Sequence, residues 1–152
     1  MIEIAYLKRT PDLPYVRTDA GRGTFPLREA KDCTVRAFAI AVGVTYAEAH
    51  RELARLGRKC GRGMKFAVVA YKRPDLFIRT VLKRGERKRV GTLVRTLRTG
   101  RHVVRVNRHV FALVNGVVHD LTSFESLKNC IVTDIYTVKP LTPDAQCATL
   151  PQ

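Results

Sequence analysis

Three residues of this chain have the types and settings that nucleophilic chemistry needs: Cys33, His109 and Asp120. A cysteine attacks as thiolate, and Cys33 falls where a helix should begin, in Asp32-Cys33-Thr34-Val35-Arg36-Ala37-Phe38. At the first turn of a helix the unsatisfied N–H groups and the macrodipole favour negative charge. They draw a thiol pKa from about 8.5 toward roughly 3.5–7.5. A protonated histidine close by draws it further down, and a carboxylate can orient that imidazole and stabilise its charge. Asp32 acts the other way, since a carboxylate beside a thiolate raises its pKa; an Asp32 committed to capping the helix would soften that effect.

His109 and Asp120 belong to one hairpin. In the run from Arg108 to Asp120, Asn115-Gly116 separates two apolar arms, the strongest short-range hairpin signal, because a type I′ turn needs two residues with positive φ. With those two as the loop, Val114 faces Val117, Leu113 faces Val118, Phe111 faces Asp120 and His109 faces Thr122. Side chains alternate with period two, so His109, Phe111, Val118 and Asp120 share a face. His109 and Asp120 become diagonal neighbours, roughly 7–8 Å apart at the backbone and within side-chain reach. His119 points to the opposite face and cannot partner Asp120 in this register.

The remaining elements must bring Cys33 to that hairpin. A strand is expected over residues 2–7, then an irregular stretch with Pro11, Pro14, Gly21, Gly23 and Pro26. Asp32 is the expected N-cap of the first helix. Its body over 35–42 is apolar on nearly every side, as in a buried central helix, and Gly43 ends it. Thr45-Tyr46-Ala47-Glu48 is a capping box opening a second helix to Leu56. A third helix is expected over 64–71, a strand over 77–82, a charged turn over 83–89 and a short helix over 92–97. Strands are expected over 102–106, 109–114, 117–121 and 131–138. Helices first and antiparallel strands after indicate an α+β domain over residues 1–138, with a disordered tail over 139–152.

The chain of 152 residues carries a net charge of +15 with an ordinary apolar fraction of 45%. Between residues 79 and 108 eleven basic side chains stand against Glu86 alone, a net ten of those fifteen charges. Such a field favours contact with nucleic acid or an acidic protein surface, weakening with salt. Lys83, Arg84, Arg87, Lys88 and Arg89 are the candidate contacts, together with Arg58, Lys59 and Arg62 of the glycine-rich loop over 57–63. That loop lacks the Gly-Lys-Ser/Thr ending of a P-loop, although its backbone amides could hold an anion. Few aromatics interleave with the arginines, which does not favour stacking on single strands. Cys33, Cys60, Cys130 and Cys147 form no C-x-x-C pair and read as free thiols; no metal site and no cofactor is expected. No apolar run approaches a membrane span and no signal-peptide core is present, so no membrane partner and a cytoplasmic location are expected.

The run Gly100-Arg101-His102-Val103-Val104-Arg105-Val106-Asn107-Arg108-His109-Val110-Phe111-Ala112-Leu113-Val114-Asn115-Gly116-Val117-Val118-His119-Asp120 resembles the second half of papain-like cysteine peptidases. It is similar in particular to bacteriocin-processing peptidase domains, and the Asp32-Cys33 helix start resembles the other half. With Gly57-Arg58-Lys59 after the second helix, the pattern also resembles small proteins encoded by tailed bacteriophages. Over residues 28–138 the resemblance implies a papain-like fold: helices led by Cys33, packed on a C-terminal antiparallel sheet. It also implies a hydrolase of peptide, isopeptide or other amide bonds acting on a protein or peptide substrate. Cys33 would be nucleophile, His109 general base and acid, and Asp120 the orienting residue. A bacterial host cytoplasm would be its location, with virion incorporation open. Papain-like enzymes usually carry a glutamine shortly before the cysteine to help form the oxyanion hole, and no glutamine or asparagine precedes Cys33. The Cys33 backbone N–H would have to serve, with Lys31, Thr24 or an arginine. Losing one such donor can cost about 10²–10³ in rate. The competing reading is a non-catalytic papain-like scaffold acting through its basic segment as a nucleic-acid-binding or virion protein.

Overall fold

The hairpin turn forms as its residues dictate. Asn115 and Gly116 take φ values of 49° and 78°, and the arms pair Val114 with Val117, Leu113 with Val118 and Ala112 with His119. The computed structural model describes residues 14–140 of the chain. In order these form β1 (Tyr15–Arg17), a 3-10 turn (Arg22–Thr24), α1 (Cys33–Val42), α2 (Tyr46–Arg55) and α3 (Phe66–Lys72). Then come β2 (Phe77–Val81), α4 (Val90–Thr96), β3 (Arg101–Val106), β4 (His109–Val114), β5 (Val117–Asp120), α5 (Phe124–Leu127) and β6 (Asp134–Val138). The strand expected over 2–7, Cys147 and the tail beyond Pro140 lie outside the described residues.

The fold is α+β, with a six-stranded sheet in the order β1-β5-β4-β3-β6-β2. It is mixed rather than antiparallel: β1 runs parallel to β5 at one edge, while the other neighbours are antiparallel. β1 sits in the stretch expected to be irregular. A parallel partner so distant in sequence leaves no turn signature. The sheet is also not confined to the C-terminal half, because β1 forms one edge; β2, expected as a strand, closes the other edge against β6. Ser123 caps the unexpected α5 through its hydroxyl. The last strand is shorter than expected, and Ile131 makes only an isolated bridge to Arg89.

Period-two alternation sorts the sheet into two cores. Val103, Val110, Ala112 and Tyr136 pack with α1, α2 and α3 through Val35, Phe38, Leu53 and Phe66. Val104, Phe111, Leu113 and Val118 pack on the other side with Val90, Leu93 and Val94 of α4 and Leu127 of α5. α1 is buried along most of its length and lies chiefly against β4. Gly43, with φ 84°, closes it and donates its N–H to the Ala39 carbonyl. The Thr45/Glu48 capping box that starts α2 is complete on both sides. The nucleophile helix is thus clamped against the strand that His109 opens.

Candidate active site

The site forms where the first turn of α1 meets the start of β4 and the end of β5. His109 Nε2 donates to Asp120 Oδ2 at 2.6 Å, the diagonal contact that the hairpin register allows. The half-buried Cys33 thiol is near enough to the His109 side chain and the Val110 N–H for both to favour its ionisation. With Nε2 committed to Asp120, Nδ1 is the nitrogen left to face the sulfur. The His109 ring stacks on Phe111, centroids 6.3 Å apart. The three candidate residues are therefore brought together, and His119 is excluded as expected.

Electrostatics favour a thiolate–imidazolium pair. Burial pushes the Cys33 thiol up, but the His109 imidazole, the Val110 N–H and the Arg36 guanidinium bring it below its ordinary value. Burial pushes His109 down, yet the Asp120 carboxylate and the Cys33 sulfur more than offset it and raise the imidazole to about 9. Burial likewise opposes ionisation of Asp120, and His109, Arg36 and the Leu121 N–H overcome it, holding the carboxyl below its ordinary value. Such pairs share their protons, so the titrations belong to the couple. By contrast, burial and Arg101 both push His119 down.

Asp32 does not cap α1: its side chain makes no capping bond. Its Oδ1 accepts from Arg22 Nη1 at 3.1 Å and Arg36 Nε at 3.2 Å, and its Oδ2 accepts from the Tyr46 hydroxyl at 3.0 Å. Two guanidiniums and a phenol held in place outcompete backbone amides for this buried carboxylate. The same Arg36 reaches across to the hairpin, its Nη1 donating to Asp120 Oδ1 at 2.7 Å. Sequence reasoning did not single out Arg36. Its signal was present: one arginine inside an otherwise apolar, buried helix needs a carboxylate partner.

Of the oxyanion donors considered, Thr24 spends its hydroxyl proton on the Gly21 carbonyl and Arg36 is committed to two carboxylates. The amides of the first turn of α1 have no capping side chain, which leaves the Cys33 N–H free to point at an anion. Lys31 and Arg108 flank the site with φ values of 53° and 59°. Left-handed backbone at non-glycine residues costs on the order of 1 kcal/mol each and concentrates at functional sites. Two surface grooves run along residues 20–29 and 45–47, and neither is lined by Cys33, His109 or Asp120.

The basic candidates divide. Arg58 is buried, and its Nη1 and Nη2 donate to Glu29 at 3.1 and 3.0 Å, so it is withdrawn from anion binding, while Lys59 and Arg62 stay exposed. Lys83, Arg84, Arg87 and Arg89 are exposed and Lys88 half-buried; none forms an ion pair with a carboxylate of the described residues. Arg79 and Arg105 do, both bonding Asp134, and Arg101 donates to the Ala41 and Ile40 carbonyls that end α1.

Among the described residues, Glu29, His50 and Cys60 bring three ligand-type atoms within 4.8 Å of one another. The Glu29 carboxylate is already occupied by Arg58, by the Gly61 N–H at 2.8 Å, by His50 at 2.8 Å and by the Cys60 thiol at 3.2 Å. The Cys60 thiol is raised by Glu29, so it is a proton donor there rather than a thiolate ligand. The cluster ties the segment before α1 to the loop after α2. Compared with known proteins, the chain is matched by no family model, no curated sequence and no solved structure.

Proposed function

We propose that this protein is a cysteine hydrolase with a papain-like arrangement, cleaving a peptide, isopeptide or other amide bond through Cys33, His109 and Asp120. The carrying observation is the 2.6 Å bond from His109 Nε2 to Asp120 Oδ2, with the Cys33 thiol near enough to the same imidazole for it to favour the thiolate. The Cys33 thiolate attacks the scissile carbonyl carbon, and the oxygen on which negative charge develops accepts a hydrogen bond from the Cys33 N–H. His109 gives its Nδ1 proton to the departing amine as the C–N bond breaks, leaving a thioester on Cys33. Neutral His109 then takes a proton from water, whose oxygen attacks the thioester. The carboxylic product leaves, and the thiolate–imidazolium pair is restored. Asp120 holds the ring and its charge throughout and need not change protonation.

The test is acylation by 4-nitrophenyl acetate, read as nitrophenolate release and as an acetyl adduct located by mass spectrometry. Adduct on Cys33, absent in a folded Cys33→Ala, supports the reading. Equal release by the two proteins ends it.

A second reading rests on the cations of residues 83–89, which pair with no carboxylate among the described residues: a non-catalytic scaffold binding nucleic acid in a bacteriophage context. Reversing the charge of Arg84, Arg87, Lys88 and Arg89 would then weaken DNA or RNA binding sharply and flatten its dependence on salt. Unchanged affinity would remove this reading.

A further inference from the structure

Resting on the hydrolase reading, we propose that Arg36 is the positioning residue of the site, one guanidinium tying the Asp120 carboxylate to the Asp32 carboxylate beside the nucleophile. The bridge joins elements far apart in sequence. Its Nη1 reaches Asp120, 84 residues away, and its Nε reaches Asp32 one helical turn back. All three groups are buried: Arg36 is 8% exposed, Asp32 1% and Asp120 2%.

Two consequences follow from this geometry. First, Asp120 offers Oδ2 to His109 only while Oδ1 is held by Arg36, so the guanidinium sets the direction of the imidazole over the sulfur. Second, Asp32 adjoins Cys33 in sequence, and its charge would oppose a thiolate there. Arg36 cancels that charge while adding its own attraction for the sulfur. Arg22 and the Tyr46 hydroxyl also contact Asp32, but neither contacts Asp120 among the described residues. A lysine keeps one charge but lacks the planar fork that serves two carboxylates at once. The arginine is therefore specified by shape as well as by sign.

The charged groups that act on the Cys33 sulfur include Arg36 on α1 and His109 on β4, and Asp32 and Asp120 are bonded to these two. Arg22 and Tyr46 act through Asp32, and the Tyr15 hydroxyl bonds the Asp120 carbonyl at 2.9 Å. A change at Arg36 is thus read through a small, named set.

The experiment follows Cys33 ionisation by thiolate absorbance against pH, as the difference from Cys33→Ala, alongside acylation by 4-nitrophenyl acetate and circular dichroism for the fold. Parent, Arg36→Gln, Arg36→Lys and the double variant Asp32→Asn/Arg36→Gln are compared. Arg36→Gln is expected to raise the Cys33 midpoint by at least one pH unit, and the double variant to recover half or more of that rise. Arg36→Lys is expected to move the midpoint less than half as far, yet to slow acylation about tenfold. This lysine variant keeps the question open to refutation if Arg36→Gln does not fold. A folded Arg36→Gln titrating like the parent, a double variant without recovery, or a lysine variant equal to the parent in both readouts would overturn the proposal. A parent whose Cys33 titrates as an ordinary thiol would instead reject the hydrolase reading itself.

Discussion

Asp120→Asn removes one charge and almost no volume, and it tests how the imidazole is held. The carboxylate accepts from His109 at 2.6 Å and from Arg36 at 2.7 Å. His109 stands at about 9 against an ordinary 6.5 although burial pulls it down, and Asp120 is the first of the groups that raise it. That span of about 2.5 pH units corresponds to roughly 3.4 kcal/mol at about 1.36 kcal/mol per unit. If Asp120 supplies half of it, the variant loses about 1.7 kcal/mol, and the His109 midpoint falls by more than one pH unit. An asparagine has a further effect. Its amide donates to Nε2 and selects the tautomer with a proton on Nδ1, facing the sulfur, so the ring cannot accept a proton from Cys33. The assay is a proton–carbon correlation titration of the histidine rings, with His109 assigned by its loss in His109→Ala. A folded Asp120→Asn whose His109 midpoint stays within about 0.3 pH units of the parent would refute the reasoning.

Cys33→Ala should change how stability depends on pH. In the parent the folded thiol lies below its ordinary 9.0 while His109 is raised from 6.5 to about 9, so their contributions to the pH slope of stability have opposite signs and oppose each other. Without the sulfur, the raised His109 contributes stability that is full below pH 6.5 and fades as pH rises through its folded midpoint, by at most about 1.4 kcal/mol per unit. Urea unfolding at several pH values checks this, and identical profiles for variant and parent would contradict it. Glu29→Gln leaves Arg58, with a side chain only 2% exposed, buried without its counter-charge. A loss of about 3–5 kcal/mol in urea unfolding is expected, and a loss below about 1 kcal/mol would contradict the knot drawn at that carboxylate. His119→Ala should leave Cys33 alkylation unchanged, since His119 faces away from Asp120; a slowed reaction would mean that the hairpin register is misassigned.

Features set by neighbouring residues were legible in the sequence. The close of α1 at Gly43, the Thr45/Glu48 capping box and the Asn115-Gly116 register all form as their local chemistry dictates, and the register is what delivers His109 to Asp120. Long-range pairing was not legible. β1 is three residues long, begins just after Pro14, and pairs in parallel with β5, so neither periodicity nor a turn announces it. β2 reaches the far edge through β6, which no hairpin imposes. Aspartate before a helix usually caps it, which is what the sequence predicts for Asp32. It becomes an ion-pair hub because Arg22, Arg36 and Tyr46 converge on it from three elements. The basic, glycine-rich neighbourhood of Arg58 predicts a surface cation, and Glu29, 29 residues earlier, takes it inside.

The central claim, an activated Cys33–His109 pair, is most directly tested by alkylation with iodoacetamide at about pH 6. Mass spectrometry would resolve Cys33, Cys60, Cys130 and Cys147 in the parent and in His109→Ala. An ordinary thiol is almost wholly protonated there and reacts slowly. Fast labelling confined to Cys33 that disappears with His109 is the expected result. Slow labelling without preference for Cys33, or labelling indifferent to His109, would contradict the claim.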